Sequence, residues 1–371
     1  MIKRVDIIDF LRGLVVILML LDHVRDLFHV HSIDQSPTDL AVSPPSVFYT
    51  RLITHICAPI FVFLAGSSAY LLRTKIQEAK PFRNHLFRRG AWLIILDFTL
   101  VNFGLFFDIK FGLVLVDVLS AIGFSMIILG LVNRFSTRQV FWLALLIFAL
   151  CQGAFVSQLA LLKPLSFLYS PNAFPLANGT LLVVGYPPVA WLGFCLLGYA
   201  LGDYFLGKAP IKFWQMGLIC WALFLLIRYL QIGGDSPWKL EADDHLTLMS
   251  FLNVSKYPPS LSFACLTLGT LFFLASVFPL VKKNWVEFIS AYGRVPLFFF
   301  ISHWFVLHLI LFVLIFRQGF TWADVEFGFQ LTRPKTFVGL STAQVYVLWM
   351  LVAALYYPLC RFYFGRQQGK K

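Results

Sequence analysis

Charge is scarce in this chain. Asp, Glu, Lys and Arg make up 13% of its 371 residues against 59% hydrophobic ones, and the mean hydropathy is +0.78. A soluble fold of this length has no way to bury that much apolar surface, so a water-soluble enzyme is excluded and a bilayer protein expected. Cysteine is thin as well. Cys57, Cys151, Cys195, Cys220, Cys265 and Cys360 all lie in or beside apolar runs, and no two form a C-x-x-C pair. That distribution argues against a disulfide framework or a metal site and for small core residues. A Walker loop, a G-x-G-x-x-G turn, H-E-x-x-H and G-x-S-x-G are missing too, which removes the usual nucleotide, zinc-peptidase and serine-hydrolase readings. No small-residue cleavage site follows the first apolar segment, so that segment is expected to remain in the mature protein.

The charge that is present is lopsided, with 30 Lys and Arg against 18 Asp and Glu. The net +12 could suggest nucleic acid, but the basic residues cluster in alternate short loops, as in cytoplasmic loops of multispanning proteins. No nucleic-acid partner is expected. Ten candidate spans follow from the apolar runs, near 6–28, 47–72, 88–107, 113–132, 138–156, 186–205, 211–230, 258–280, 291–316 and 341–363. The expected fold is an all-α integral membrane protein, a bundle of about ten transmembrane helices forming a single domain over 1–371. Loop 73–90 holds Arg73, Lys75, Lys80, Arg83, Arg88 and Arg89, whereas loop 29–46 has no Lys or Arg. The positive-inside rule then places loop 73–90 and both termini in the cytoplasm of a multi-pass protein of the inner (plasma) membrane. Arg134, Arg138, Lys208, Lys212, Lys282, Lys283, Arg366, Lys370 and Lys371 agree, while Arg317, Arg333 and Lys335 run against the rule.

The first segment, Asp6 to Phe28, carries ionisable residues at both ends of its apolar run. Arg12 and His23 are separated by ten residues. Eleven helical steps make roughly three turns, so the two side chains share a face about 16 Å apart along the axis. Charge at such depth normally faces a bundle interior or a wet cavity. The plainer alternative is that both snorkel to opposite interfaces. Asp26, one turn beyond His23 on the same face, is spaced to orient its imidazole, and Asp22 points about 100° away. In the ninth span His303 and His308 are both candidates. Spacing alone does not choose between them, though Arg294 shares a face with His308 and not with His303. His55 lies beside Cys57, with Arg51 one turn earlier on the same face. Asp97 and Asp117 should face the interior, and Asn102 could join helices.

Three outer loops are long, near 157–185, 231–257 and 317–340. The middle one brings Asp235, Trp238, Asp243, Asp244 and His245 into one stretch. Carboxylates beside an aromatic plane suit a hydroxyl-rich ligand, although a solvated loop with a belt tryptophan has the same composition. Tyr186-Pro187-Pro188 and Tyr257-Pro258-Pro259 each open a helix entering from outside, where proline is tolerated in the first turn. Three residues are too few to establish a duplicated unit.

The Arg12-Gly13 pair, the apolar run and His23 resemble the opening helix of transmembrane acyltransferases. One branch is the type-three acyltransferases that O-acetylate cell-surface glycans. The closer likeness is to the bacterial family related to heparan-alpha-glucosaminide N-acetyltransferase. THICAPIFVFLAGSSAYLL at 54–72, MSFLNVSKYPPSLSFACLTLG at 249–269 and YGRVPLFFFISHW at 292–304 fit that branch in order. The resemblance implies an acyltransferase with no tightly bound cofactor, taking acyl-CoA, most plausibly acetyl-CoA, as co-substrate. It carries functional roles over to Arg12 and His23, and it favours His303 over His308. On this reading Arg12, Arg88, Arg89 and Arg294 would meet the donor's phosphates from the cytoplasm. His23, with Asp26 or His303, would act as general base or briefly carry the acyl group. His55, Asp235, Trp238 and Tyr257 would shape a pocket for a sugar or glycan acceptor, and homo-oligomer formation is left open. Two rivals remain: a proton-coupled transporter or channel using His23, Asp97, Asp117 and His303, and a non-catalytic partner in envelope synthesis.

Overall fold

The computed structural model describes residues 6–152, 165–207 and 212–368. The far end of the expected span 138–156, part of loop 157–185, Lys208, Lys370 and Lys371 lie outside the described residues. The chain is mostly helical. In order the helices are α1 (Asp6–Phe28), α2 (Pro45–Thr54), α3 (Cys57–Arg73), α4 (Ala79–Leu96), α5 (Asn102–Phe106), α6 (Val118–Leu131) and α7 (Thr137–Leu150). There follow α8 (Pro188–Ala200), α9 (Phe213–Tyr229), α10 (Asp244–Leu252), α11 (Leu261–Val277), α12 (Lys283–Gly293), α13 (Pro296–Arg317) and α14 (Thr342–Gln368).

Among the described residues six helical runs are long and apolar enough to cross a membrane. These are Pro45–Arg73, Ala79–Phe106, Pro188–Leu206, Leu261–Leu280, Pro296–Arg317 and Thr342–Gln368. Helix α1 has the length but carries Asp6, Asp9, Arg12, Asp22, Arg25 and Asp26, too many charges for a lipid-facing span. Burial resolves that conflict: Val15, Val16, Leu20 and Val24 are fully enclosed by the other helices. Helices α6, α7 and α9 are apolar but shorter.

Three expectations change. The span at 113–132 begins as a strand, not a helix. Leu113–Val116 (β1) pairs in parallel with Leu181–Val184 (β3), which pairs antiparallel with Asn172–Pro175 (β2). A small sheet therefore accompanies the helices, and the alternating β-branched pair Val114 and Val116 favours it. The ninth span is broken at Arg294 and Val295, where Pro296 starts a new helix. Asn102 does not join helices. Its amide donates to the Leu115 carbonyl at 2.8 Å and accepts from the Leu115 amide at 2.6 Å, completing the edge of β1. Asp97, fully buried, accepts from the Asp117 and Ser120 amides and caps α6.

Close helix contacts hold the core. A Cβ on Gly13 of α1 would lie 1.9 Å from the Ile289 carbonyl oxygen of α12, and one on Gly293 would lie 1.8 Å from that of Asp9. Gly66 of α3 and Gly198 of α8 meet in the same way, against Cys195 and Phe63 carbonyls. Backbones touch directly at both crossings, the small-residue packing of helices in bilayers. Helix α14 closes over α1 and α13 through Trp349 Nε1, which donates to Ile17 O at 2.8 Å, and Tyr356 Oη, 3.1 Å from Ser302 Oγ.

Candidate active site

Helix α1 carries His23, half-buried near its C-terminal end, against α13, which brings the fully buried His303 to meet it. His23 Nδ1 lies 2.6 Å from His303 Nε2. Ring centroids 4.9 Å apart and planes only 18° apart fit two imidazoles meeting edge to edge, the in-plane geometry of a hydrogen bond. His303 Nδ1 is 3.0 Å from the Phe299 carbonyl one turn back. A carbonyl only accepts, so that nitrogen carries the proton. In the neutral pair His303 Nε2 is therefore bare and accepts from His23 Nδ1–H, which leaves His23 Nε2 with its lone pair uncommitted. His23 and His303, 280 residues apart in the chain, form one unit. Trp304 stacks on His23 at 4.2 Å, and its buried indole N–H has no hydrogen-bond partner among the described residues. His308 is buried deeper along α13 against Phe107, with Nδ1 on the Trp304 carbonyl.

The expected orienting carboxylate is not where spacing put it. Asp26 pairs with Arg25 at 2.6 Å and its side chain is 40% exposed, so it does not hold the His23 ring. The buried carboxylate is Asp22. It takes Arg25 at 2.8 Å, Arg51 at 2.5 Å and the Thr54 hydroxyl at 2.8 Å, locking α1 to α2 beside His23. His55, buried at the end of α2, sets its ring edge against Phe263, and its Nδ1 has no partner among the described residues. The two Tyr-Pro-Pro segments do converge: Tyr257 and Tyr186 hydroxyls are 3.1 Å apart, and Tyr186 packs on Trp191.

Asp235 and Trp238, expected to shape an acceptor pocket, are engaged instead with a buried arginine. Both serve Arg228, a 1% exposed arginine of α9 that sequence spacing does not mark. Its guanidinium donates to the carbonyls of Phe251, Ser236 and Ser250 and faces Asp235 at 3.9 Å, while Trp238 Nε1 donates to the Arg228 carbonyl. Each orphaned buried group costs about 1–3 kcal/mol. Arg228→Leu should therefore make loop 231–257 sensitive to limited proteolysis, with Asp235→Asn milder. An unchanged cleavage pattern would contradict this role.

The arginines proposed for donor phosphates stand on three helices. Arg12 donates to the Leu64 carbonyl at 3.2 Å and to the Ser68 hydroxyl, tying α1 to α3. Arg88 and Arg89 are exposed on α4. Arg294 lies over the Phe364 ring at 5.4 Å, in a cleft shared with Arg361. Sequence reasoning missed Trp304, the Asp22–Arg51 lock and Lys256. The first follows His303 directly, and Asp22 and Arg51 sit beside residues already singled out. Lys256 directly precedes the Tyr257-Pro258-Pro259 triplet, but nothing in the sequence marks a loop lysine as buried.

Residues 4–234 match the family described as heparan-alpha-glucosaminide N-acetyltransferase, catalytic. The match includes His23 and stops short of His303. No curated protein matches the chain. Since the match takes in more than half of the chain, and its helices are apolar enough to cross a bilayer, the protein belongs to this family of membrane acetyltransferases.

Proposed function

We propose that this protein is an integral membrane acyltransferase moving an acetyl group from cytoplasmic acetyl-CoA to a hydroxyl or amine of a sugar or glycan acceptor on the outer side. The observation that carries the reading is the His23–His303 hydrogen bond, which leaves His23 Nε2 as a free base inside the bundle. Nε2 takes the acceptor's proton as its oxygen or nitrogen attacks the thioester carbonyl. The C–S bond then breaks, and the imidazolium returns the proton to the departing CoA thiolate. Trp304, stacked on the base with an uncommitted N–H, is placed to donate to the carbonyl oxygen as it gains charge. His55 and Tyr257 line the acceptor side, and Arg12, Arg88, Arg89 and Arg294 serve the donor side. Purified protein in nanodiscs should release CoA when acetyl-CoA and an amino-sugar acceptor are both present. Solute flux with no CoA consumed would favour the transporter instead.

This reading uses ten spans in one domain, six clear spans plus α1, α6, α7 and α9, with both ends cytoplasmic. A reporter after Lys371 should read cytoplasmic and one within loop 231–257 external. The opposite pair would separate the donor from its arginines. Arg12→Lys should raise the acetyl-CoA KM at least about tenfold, because a point charge lacks the guanidinium fork. A normal KM would make Arg12 a structural tie only.

A further inference from the structure

Lys256 is 7% exposed, yet among the described residues its ammonium forms neither an ion pair nor a hydrogen bond. It rests against two aromatic faces, 5.0 Å from the Tyr257 ring centroid and 5.7 Å from that of Tyr186. It is close enough to Asp22, His23, His55 and Asp117 for its charge to act on each. None of these neutralises it. Asp22 is held by Arg25 and Arg51, and Asp117 stands at the start of α6 beyond ion-pair range. The cluster beside His23 therefore holds Arg25, Arg51 and Lys256 with Asp22, Asp26 and Asp117; the first two carboxylates are committed to the arginines, and Lys256 is left without an ion-pair partner among the described residues. For a lysine this buried as a residue, two ring faces compensate a missing anion only in part. The ring that packs on Tyr186, Trp191, carries a second buried donor, its indole N–H, with no partner among the described residues.

We propose that Lys256, flanked by Tyr186 and Tyr257, binds an anionic group, a phosphate or carboxylate, of the acceptor, so that the acceptor is an acidic sugar derivative rather than a neutral one. Its assignment to the acceptor rests on the acyltransferase reading; the anion site itself does not. The two Tyr-Pro-Pro segments flank the site: Pro187-Pro188 starts α8, whereas Pro258-Pro259, expected to open a helix, instead forms a turn closed by a Lys256–Pro259 bridge ahead of α11, and both tyrosine rings face the lysine. A sugar ring fits such a pocket with its face on a phenol and its charge on the ammonium.

The test is binding of glucose 6-phosphate, glucuronate and glucose to the purified full chain in phosphatidylcholine nanodiscs, read by thermal shift and calorimetry. Wild type should bind at least one anionic sugar at least about tenfold more tightly than glucose. Lys256→Gln and Lys256→Met, the second keeping the stem's packing, should lose that preference, whereas His23→Gln should keep it. Equal binding of the three sugars by wild type overturns the proposal even if neither variant folds. So does a preference retained in both variants, or stabilisation by phosphatidylglycerol nanodiscs alone, which would give the site to a lipid headgroup. CoA release is measured separately, so an anion site without transfer would count against the enzyme reading and not against the site.

Discussion

His23→Gln should lower CoA release by about 10²–10⁴-fold while acetyl-CoA binding from the cytoplasmic face stays near normal. Glutamine can replace a hydrogen bond to His303 but cannot take and return a proton. His303→Phe keeps ring volume and burial, and it removes both the acceptor for His23 Nδ1 and the donor to Phe299. It should cost less than His23→Gln, because His303 acts through its neighbour as a positioning residue. A second readout separates positioning from packing. In protein with labelled histidine, His23 should show a protonated Nδ1 and a bare Nε2 by ring-nitrogen shifts, and His303→Phe should mix the two tautomers. Wild-type turnover in well-folded His23→Gln would end the assignment of His23 as base.

The second large effect is on folding. Gly198→Leu drives a side chain into the Phe63 carbonyl, where even a Cβ would sit 1.9 Å from oxygen. Neither partner is a flexible side chain, so α3 and α8 must separate. The cost should be at least about 3 kcal/mol, at or above the upper end for ordinary overpacking. Gly13→Leu should behave likewise at the α1–α12 crossing, with the added effect of tilting the helix that holds His23. The control is Gly365→Ala near the end of α14, where nothing lies within 4 Å, and it should be neutral or slightly stabilising. The thermal midpoint and the monodisperse yield in detergent decide it. A wild-type midpoint for Gly198→Leu would mean that the crossing is looser than described.

Helical character and the position of most spans were legible because an apolar run of about twenty residues matches the thickness of a bilayer's hydrocarbon core and suits little else. Arg12 and His23 stood out for the same reason: an ionisable group in such a run has to face something. What one sequence could not show was which groups face each other. His23 and His303 are 280 residues apart, and only the packing of α1 against α13 makes them a pair. Asp26 was misread because helical spacing reports a shared face and says nothing of competitors on it; the adjacent Arg25 took its carboxylate. Asp235 and Trp238 carried the composition of a sugar site, yet Arg228, charged and buried at the end of an apolar helix, had first claim on both. The strand at Leu113–Val116 hid inside an apolar run, since periodicity does not separate a short buried strand from a helix.

Helix α1 is unbroken from Asp6 to Phe28, and that continuity has a metric consequence. Arg12, tied to α3 at Ser68, and His23, tied to α13, are fixed points on one rigid rod about 16 Å apart. In the proposed enzyme the rod gauges the donor. A thioester whose anionic end trails it by about that length can be gripped at one mark while it reacts at the other. A clipped donor, such as an acetyl thioester of N-acetylcysteamine, reaches the imidazole with nothing left to hold. Its deficit should then appear in turnover as well as in apparent affinity, because grip on the remote end is what steadies the reacting one.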